Sequence, residues 1–384
     1  MKKKKVLFLI WSFTAGGGAE KILSNIVNNL DRNKYDISIL EYENFDIKKE
    51  FTKKEIKILK PILINGQNKI RNKILKSLTF KKPKLIRKWF VKEKYDIEVA
   101  FNYMIPSLIT SNSNNKKYNW VHSSIEDLDY EKVDSQKYKN VKRRFELQKN
   151  SFEKMNNIIA ISNKTNDSII KLYPTVKDKV IKIYNGYEFE NLYKQSSVEV
   201  SDIRKIGYYT IVAIGRMAEQ KNFPYLIDVA DKLRKEGVKF NLFIIGDGDQ
   251  RNKIEDKIRQ YDLSGQVHLL GYINNPYPYL KQADLFCLTS IAEGFPTVLV
   301  EALALGCPFV STDVAGAEEL SNGEQCGLVS FDIDQYVSNV KKILENKELR
   351  NNMSNKGKVL VFNYSMKNQI SQIEKLFDFD GGRK

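Results

Sequence analysis

Short apolar runs alternate with helical patterns along the whole chain. A first set of runs ends near residue 186, and a second set begins after residue 206. The runs are KVLFLIWS, YDISIL, DIEVAFN, YNWVHSS, NNIIAIS and VIKIYNG in the first half, and YTIVAIG, KFNLFIIG, QVHLLG, ADLFCLTS and CPFVST in the second. Buried strands separated by helices are typical of βα units in a parallel sheet. The pattern predicts two doubly wound, Rossmann-like α/β domains, and residues 186–205, which lack clear periodicity, predict the linker between them.

Composition agrees with two globular domains. The chain has 384 residues, 42% of them hydrophobic, and no apolar run is long enough to span a membrane. The start, MKKKKVLFLIWSF, has the basic head of a signal peptide, but it runs into TAGGGAEK without a cleavage-like site. We therefore predict a first buried strand and a cytoplasmic protein. Cys287, Cys307 and Cys326 are too few and too scattered for a disulfide framework or a zinc site.

The positive charge lies in the first half. The net charge is +16; residues 1–190 carry 39 basic and 22 acidic side chains, whereas residues 191–384 carry 24 and 25. Such an excess favours an anionic partner, either nucleic acid or a membrane surface.

One segment concentrates this charge. Lys69 to Lys94 holds 11 basic residues and one acid, Glu93. Its apolar residues recur at helical spacing on both sides of Pro83: Ile70, Ile74, Leu75 and Leu78, then Leu85, Ile86, Trp89 and Phe90. The pattern favours two short amphipathic helices docked on an anionic membrane at the inner face of the plasma membrane. The alternative is that both apolar faces pack on the domain's own sheet.

Several corners that follow strands carry candidate chemistry, because ligands of parallel sheets bind beyond the carboxyl ends of the strands. Gly16, Gly17 and Gly18 precede a helix whose first amides favour an anion, or they form only a tight turn. Arg216 and Lys221 have the chemistry of a diphosphate clamp, or are two solvated cations.

Acids and histidines give weaker signals. Asp247 and Asp249 form an Asp-x-Asp pair suited to a metal, but the glycine-rich context favours an ordinary turn. His122 follows a predicted strand and precedes two serines, a better position for a ligand contact than that of His268 inside a strand. A structural role for His122 remains the alternative.

The stretch EGFPTVLVEALALGCP contains two glutamates with seven residues between them. Pro296 suits the first helical position and Gly306 the position just past the end, so a short buried helix is predicted between them. Glu293 precedes that helix. Glu301 lies inside it and is costly to bury without a partner. A polyhydroxyl ligand gives both carboxylates hydrogen-bond donors; the alternative is one helix-start acid and one solvated acid.

Taken in order, these motifs resemble the retaining nucleotide-sugar glycosyltransferases of family four, which have the GT-B fold. The resemblance rests on GGGAE, WVH, Asn185–Gly186, AIGRMAEQKN, IIGDGD, HLLGYI, EGFPTVLVE and ALALGCPFVSTDVAGAEEL, and it spans nearly the whole chain. It implies two Rossmann-like domains facing a cleft: an acceptor-binding domain over 1–187, a nucleotide-sugar-binding domain over 188–365, and a C-terminal helix over 366–384 that crosses back to the first.

The resemblance also implies roles for individual residues. Arg216 and Lys221 would bind the donor diphosphate, and the backbone that follows Phe295, at Pro296 and Thr297, would lie near it. Glu293 would bind the sugar hydroxyls, Glu301 the ribose, and the backbone at Gly271 and Tyr272 the base. His122 would lie near the transition state, and Gly17 and Gly18 would lie beside the donor phosphate and the acceptor. Glu293, His122, Arg216 and Lys221 form the predicted catalytic set. No metal and no cofactor are implied.

The implied reaction moves a hexose or an N-acetylhexosamine, with retention, from a nucleotide sugar to a saccharide acceptor. UDP is the favoured nucleotide, and a polyprenyl-diphosphate-linked acceptor in bacterial surface-glycan assembly is favoured over a protein or soluble acceptor. A nucleotide-sugar epimerase of the same fold is the nearest alternative, which the two glutamates disfavour. A nucleic-acid-binding protein is the remote one, because the chain lacks any recognisable reading motif.

Overall fold

The computed structural model describes residues 2–14, 18–45, 56–122, 125, 135–200 and 203–379, with the backbone alone for 135–140. The chain divides into two units: Met1–Gly186 with Met366–Lys384, and Tyr187–Ser365. The strands are β1 (Lys4–Ile10), β2 (Tyr35–Glu41), β3 (Glu43–Asn44), β4 (Lys57–Ile58), β5 (Leu63–Ile64), β6 (Ile97–Ala100), β7 (Lys116–Val121), β8 (Asn157–Ala160), β9 (Val180–Lys182), β10 (Tyr209–Ile214), β11 (Phe240–Ile245), β12 (Val267–Gly271), β13 (Leu285–Leu288), β14 (Phe309–Thr312) and β15 (Gly327–Ser330).

The α-helices follow the strands along the chain. They are α1 (Gly18–Asn29), α2 (Lys69–Lys81), α3 (Pro83–Phe90), α4 (Ile105–Thr110), α5 (Ser135–Glu153), α6 (Asn163–Leu172), α7 (Phe189–Ser196), α8 (Phe223–Lys235), α9 (Arg251–Gln260), α10 (Tyr277–Lys281), α11 (Thr297–Ala304), α12 (Ala317–Ser321), α13 (Ile333–Glu345), α14 (Lys347–Leu360) and α15 (Met366–Asp378).

The first unit contains a parallel sheet in the order β4-β2-β1-β6-β7-β8-β9. β1 lies between β2 and β6, and its residues from Val6 to Ile10 are buried. A strand covered on both faces requires a continuous apolar run rather than an alternating one. The run KVLFLI meets that requirement.

The second unit contains a parallel sheet in the order β12-β11-β10-β13-β14-β15. The strand order reverses between β10 and β13, which is the arrangement of a Rossmann sheet. Helices α8 and α13 supply Leu226, Ile227 and Val340 to the core beneath this sheet, and all three are buried. The prediction of two doubly wound parallel-sheet units is confirmed.

The last helix, α15, packs within the first unit. Phe377 is fully buried, with ring centroids 5.8 Å from Tyr35, 5.8 Å from Tyr118 and 6.4 Å from Phe8. Asp378 Oδ1 accepts a hydrogen bond from Tyr35 Oη at 2.9 Å. An apolar anchor and a polar contact at its end therefore hold this helix against the strands of the first unit.

Two local predictions are wrong. Residues 186–205 contain the helix α7, whose Phe189 and Leu192 are buried, because an eight-residue helix is too short to show a clear period. Pro296 is the N-cap of α11 rather than its first helical residue. Its φ of −78° and ψ of 94° are not helical, so Thr297 is the first residue of the helix. Gly306, just past the end of α11, has a φ of +79°, a backbone conformation that favours glycine over other residues.

The apolar residues of α2 and α3 divide between core and solvent. Leu75 and Ile86 are buried, whereas Ile70, Ile74 and Trp89 are 77%, 54% and 44% exposed. Each helix therefore uses one side of its apolar stripe to cover the sheet, as the alternative expected, and leaves the other side on the surface. No helix in the described part of the chain is both long and apolar enough to cross a membrane.

Candidate active site

The corners after β10 and β13 lie side by side in the second unit. β10 pairs with β13 in register, Ile211 with Leu285 and Val212 with Phe286, so the two carboxyl ends meet where the strand order reverses. That position is where doubly wound sheets bind ligands. The chain from β10 carries Arg216 and Lys221 to this edge, and the chain from β13 carries Glu293.

An ion pair joins the two corners. Lys221 Nζ lies 2.6 Å from Glu293 Oε1, and the two side chains are 23% and 12% exposed. Arg216 is exposed and makes no ion pair with any residue that the structure describes. The site therefore presents one unpaired guanidinium and one ammonium that is already shared with a carboxylate, an arrangement suited to an anionic group beside hydroxyl groups.

Hydrogen bonds to backbone carbonyls hold these corners together. Gln220 Nε2 donates to the Ala292 carbonyl at 2.7 Å, and the Ile291 amide donates to the Gln220 carbonyl at 2.8 Å. Thr289 Oγ1 donates to the Lys221 carbonyl at 3.0 Å. These positioning residues were missed by sequence reasoning, since their partners lie about 70 residues away and only the strand order brings them together.

Glycines bring the next corner into contact. A Cβ on Gly246 would lie 1.9 Å from the Gly215 carbonyl oxygen, and one on Gly248 would lie 2.5 Å from that of Met217. Gly246 N donates to the Gly271 carbonyl at 2.8 Å. The glycines in AIGR and IIGDGD therefore permit three backbone corners to pack directly on one another.

The helix α11 carries the second glutamate. Glu301 is half-buried, and its Oε1 accepts a hydrogen bond from Tyr277 Oη at 3.2 Å. Burial and the neighbouring Glu301 charge raise the pKa of Tyr277, so the phenol stays protonated and donates. The sequence predicted that a buried Glu301 needs a hydrogen-bond partner. Tyr277 of α10 is such a partner, and the sequence alone did not identify it.

The start of α11 is fixed by packing. Phe295 is buried against Tyr364, with ring centroids 5.6 Å apart, and a Cβ on Gly316 would lie 2.5 Å from the Phe295 ring. Pro296 is buried and Thr297 is exposed. The first amides of a helix have no acceptor inside it, so Thr297 and Val298 present free amide donors close to Glu293 in the chain.

The remaining predicted donor-site residues lie on neighbouring strand ends. Gly271 ends β12 with φ +71°, and the Tyr272 side chain is 77% exposed. Asp247 Oδ1 accepts the Gly248 amide at 2.8 Å, and its Oδ2 lies 3.6 Å from Arg251. Within the described ranges no three His, Cys, Asp or Glu side chains form a group that could hold a metal ion. Asp247 here shapes a turn.

His122 belongs to the first unit, where it directly follows β7. Its ring lies 4.5 Å from that of Phe101 and stacks 6.3 Å from that of Trp120. Burial lowers the pKa of His122 to about 4, and the Phe101 carbonyl opposes part of that shift. Neither ring nitrogen makes a well-formed hydrogen bond to a described residue. The ring is therefore neutral near pH 7, and among the described residues its polar neighbour is the Phe101 carbonyl, which lies outside good hydrogen-bond geometry.

The glycine corner of the first unit is described only in part. Gly17 lies outside the described residues, and Gly18 begins α1. The chain leading to it is held by Glu41, a buried carboxylate at the end of β2. Glu41 Oε2 accepts the Phe13 amide at 3.0 Å and Thr14 Oγ1 at 3.1 Å. Glu41 is therefore a positioning residue, and sequence reasoning missed it.

Known proteins are similar to this chain in sequence and in fold. Residues 200–360 match the family described as "Glycosyl transferases group 1". An uncharacterized glycosyltransferase of Haemophilus influenzae is 24% identical over 96% of this chain and 98% of its own. The N-acetylgalactosamine-N,N'-diacetylbacillosaminyl-diphospho-undecaprenol 4-alpha-N-acetylgalactosaminyltransferase of Campylobacter jejuni is 32% identical over 46% of this chain and 47% of its own.

A solved structure extends the similarity to the whole fold. HepE of Anabaena in complex with UDP superposes with a TM-score of 0.75 at 18% identity, covering 97% of this chain and 99% of that one. These comparisons support a group 1 glycosyltransferase. The GT-B fold is thereby confirmed. The family match falls on the unit that carries Arg216, Lys221, Glu293 and Glu301, so the glycosyltransferase resemblance and the candidate site coincide there.

Proposed function

We propose that this chain is a retaining glycosyltransferase that moves a hexose or an N-acetylhexosamine from a UDP-sugar to a lipid-linked saccharide acceptor. The observation that carries the proposal is the placement of Arg216, Lys221 and Glu293 at one topological switch point, beside the free amides of α11. Cations and amides suit a diphosphate, and carboxylates suit sugar hydroxyls.

Each donor group has an assigned partner. Arg216 and Lys221 bind the diphosphate, Glu293 binds the sugar hydroxyls, and Glu301 accepts hydrogen bonds from the ribose. The backbone at Gly271 reads the base. The UDP bound to the structural neighbour HepE supports this choice of nucleotide. Removing one preorganised donor of this kind commonly costs roughly 3–4 kcal/mol of transition-state stabilisation.

The chemical step forms a bond between the anomeric carbon and an acceptor oxygen on the face from which the diphosphate leaves. The bond between the anomeric carbon and the donor phosphate oxygen breaks, and the leaving phosphate takes the acceptor proton. His122, which burial keeps neutral, is assigned a role near the transition state, as the resemblance implies. No metal is assigned, since two cations and helix amides neutralise the diphosphate.

A donor screen tests the reaction. The full chain is incubated without acceptor in EDTA with a panel of UDP-hexoses and UDP-N-acetylhexosamines, and free UDP is measured. We expect slow hydrolysis of one donor, lost in Glu293→Gln and kept in Glu348→Gln, an exposed control on α14. Hydrolysis of no donor, or activity only after Mg²⁺ is restored, contradicts the proposal.

The acceptor is proposed to be membrane-borne. The Campylobacter relative is named for a diphospho-undecaprenol acceptor, and here the exposed Ile70, Ile74 and Trp89 lie among the 11 basic residues of Lys69 to Lys94. Each basic residue near an anionic leaflet contributes about 1 kcal/mol. The protein thus docks peripherally on the inner face of the plasma membrane.

Sedimentation with liposomes tests the docking. Binding should require anionic lipid, weaken with salt, and drop when Lys69, Lys73, Lys84 and Lys88 become glutamine. The matched control changes four exposed lysines of the second unit to glutamine: Lys239, Lys253, Lys281 and Lys347. Equal recovery with neutral and anionic liposomes, or an equal loss in both variants, removes the membrane from the proposal and leaves a soluble acceptor.

A further inference from the structure

A cavity lies in the first unit, and none of the candidate active-site residues lines it. It measures about 340 Å³ and is formed by α2 and α5. Its lining residues are Ser77, Phe80, Lys81, Arg143, Arg144 and Leu147. The volume lies within the range of small-molecule pockets.

The charged groups of this cavity have one sign. Lys81, Arg143 and Arg144 are exposed. Among the residues that the structure describes, no carboxylate lines the cavity and none makes an ion pair with these three cations. Two cations on α2 and α3, Lys76 and Arg87, are by contrast paired with Glu43 and Glu98. Three unpaired cations around one space repel one another, and an anion with several oxygens relieves that repulsion.

The cavity also has an apolar part, which connects to an exposed helix face. Phe80 and Leu147 are half-buried in its wall. On α2, Ile70 and Ile74 precede Lys81 by 11 and 7 residues, spacings that place all three on one helical face. At 1.5 Å per residue, about 16 Å of helix separates Ile70 from Lys81. Both isoleucines are exposed.

We infer that this cavity binds the phosphate or diphosphate group of an anionic amphiphile, whose hydrocarbon lies along Ile70 and Ile74. Arg143 and Arg144 offer planar guanidinium forks for phosphate oxygens, and Lys81 adds a point charge from the facing helix. The binding itself does not depend on glycosyl transfer. The biological source does rest on the proposed function: either the diphosphate of a lipid-linked acceptor or the headgroup of an anionic phospholipid supplies this chemistry.

Calorimetry on the full chain tests the site with farnesyl diphosphate, inorganic pyrophosphate and farnesol. We expect farnesyl diphosphate to bind more tightly than pyrophosphate, and farnesol not to bind. The triple variant Lys81→Gln, Arg143→Gln, Arg144→Gln should weaken farnesyl diphosphate binding at least roughly tenfold, because each charge-assisted contact is among the stronger hydrogen bonds. Ile70→Ser with Ile74→Ser should reduce farnesyl diphosphate affinity to that of pyrophosphate.

A matched control separates a site from diffuse charge. Lys84→Gln, Lys88→Gln and Lys92→Gln remove the same charge from exposed lysines of the same basic segment, outside the cavity. Their farnesyl diphosphate affinity should stay within about twofold of the parent, since screening weakens distant surface charges. An equal loss in the two triple variants, or no binding of either phosphate probe by a folded parent protein, overturns the inference.

Two further measurements keep this inference distinct from the proposed function. UDP affinity should be unchanged in the cavity variant, whose residues lie in the other unit from Arg216 and Lys221. Vesicles of neutral lipid with 20% phosphatidic acid then identify the source. Competition between these vesicles and farnesyl diphosphate indicates a headgroup, and binding of farnesyl diphosphate without competition indicates a lipid-linked diphosphate. Failure of the donor screen with retained diphosphate binding refutes the transferase and leaves the cavity standing.

Discussion

The ion pair between Lys221 and Glu293 joins two side chains to which the sequence assigns different partners. Its 2.6 Å contact holds the carboxylate of one corner against the ammonium of the other. The pair fixes the direction of Glu293 before a ligand arrives, which lowers the cost of aligning hydroxyl groups against it. It also leaves Arg216, which pairs with no described acid, as the cation that would meet the proposed diphosphate directly.

The first prediction separates these roles. Glu293→Gln should lower kcat by about a hundredfold or more, because sugar alignment is lost at the reacting centre. UDP affinity should hold or rise, since Lys221 is released to the diphosphate. Arg216→Ala should do the converse and weaken UDP binding about tenfold. Steady-state kinetics and UDP calorimetry measure both, and a folded Glu293→Gln with parental kcat removes Glu293 from the catalytic set.

The second prediction concerns Tyr277, which positions Glu301. Tyr277→Phe should weaken UDP binding roughly fivefold, because one hydrogen bond contributes about 1 kcal/mol and that energy corresponds to a roughly fivefold change in affinity. The loss should shrink for 2′,3′-dideoxy-UDP, whose ribose has no hydroxyls for Glu301. Tyr279→Phe on the same helix is the control. Equal losses for both nucleotides indicate that Tyr277 supports the fold rather than the ribose contact.

The third prediction follows from the buried ring of His122. Its pKa is about 4 in the folded protein and about 6.5 when unfolded, so the unfolded chain binds the proton more readily between those values. Stability should therefore be complete above pH 6.5 and fall by about 3 kcal/mol as the pH drops to 4. Urea unfolding across that range should show the slope, and His122→Gln should flatten it.

The other histidine supplies the control for that experiment. His268, stacked 4.9 Å from Phe243, also has a pKa lowered by burial and contributes in the same direction. His268→Gln should keep the part of the slope that belongs to His122. A slope that His122→Gln leaves unchanged contradicts the assignment of a buried, neutral ring.

Sequence reasoning at this scale identified residue types better than contacts. The corners after β10 and β13 were recognised as candidate ligand sites from their charge and glycine content. The bonds that connect them were not, because Lys221 and Glu293 are 72 positions apart and their distance depends on the strand order. Tyr277 carries no local signal at all, since a tyrosine in an amphipathic stretch predicts only packing.

At the scale of elements, α15 anchors the two ends of the first unit to each other. Its Phe377 is enclosed by aromatic rings from β1, β2 and β7, and Lys4 contacts Asp378 at 3.0 Å. The contact joins residues 374 positions apart. Most of the anchoring free energy lies in the buried ring, because the ion pair is partly exposed.

The fourth prediction measures that anchor. Phe377→Ala should lower the free energy of unfolding by about 3–5 kcal/mol, the usual effect of deleting a buried phenylalanine. Phe379 lies just past the end of α15 and is 70% exposed. Phe379→Ala is therefore the matched control and should change the free energy of unfolding by less than about 0.5 kcal/mol. Chemical denaturation followed by circular dichroism decides the matter, and similar small effects of both substitutions would show that α15 is not an anchor.

Elements were predictable where the pattern was long and apolar. The central strands read directly from runs such as KVLFLI and KFNLFII, because burial on both faces leaves no alternation to interpret. The helix α7 was missed because eight residues give barely two turns. The stripes of α2 and α3 did not decide between a membrane and the core, because periodicity shows that a face is apolar but not whether the chain's own sheet already covers it.

At the scale of the whole molecule, charge and sequence similarity fall on different units. The second unit is nearly neutral and carries the family match, whereas the first carries the basic excess and the cavity lined by Lys81, Arg143 and Arg144. This division supports donor chemistry in the second unit and an anionic, membrane-borne acceptor in the first.

The last prediction tests that division by hydrogen exchange. UDP at about 100 times its Kd stabilises the state that binds it by about 2.7 kcal/mol, which slows exchange through global opening roughly a hundredfold. We expect this protection in β10, β11 and β13 of the second unit. The strands β1, β6 and β7 of the first unit should change little, because UDP alone supplies neither the sugar nor the acceptor that they are proposed to serve. Arg216→Ala at the same UDP concentration should lose most of the protection, whereas the cavity variant should keep it. Protection that is confined to the first unit would place the nucleotide there and overturn the assignment of the donor site to Arg216, Lys221 and Glu301.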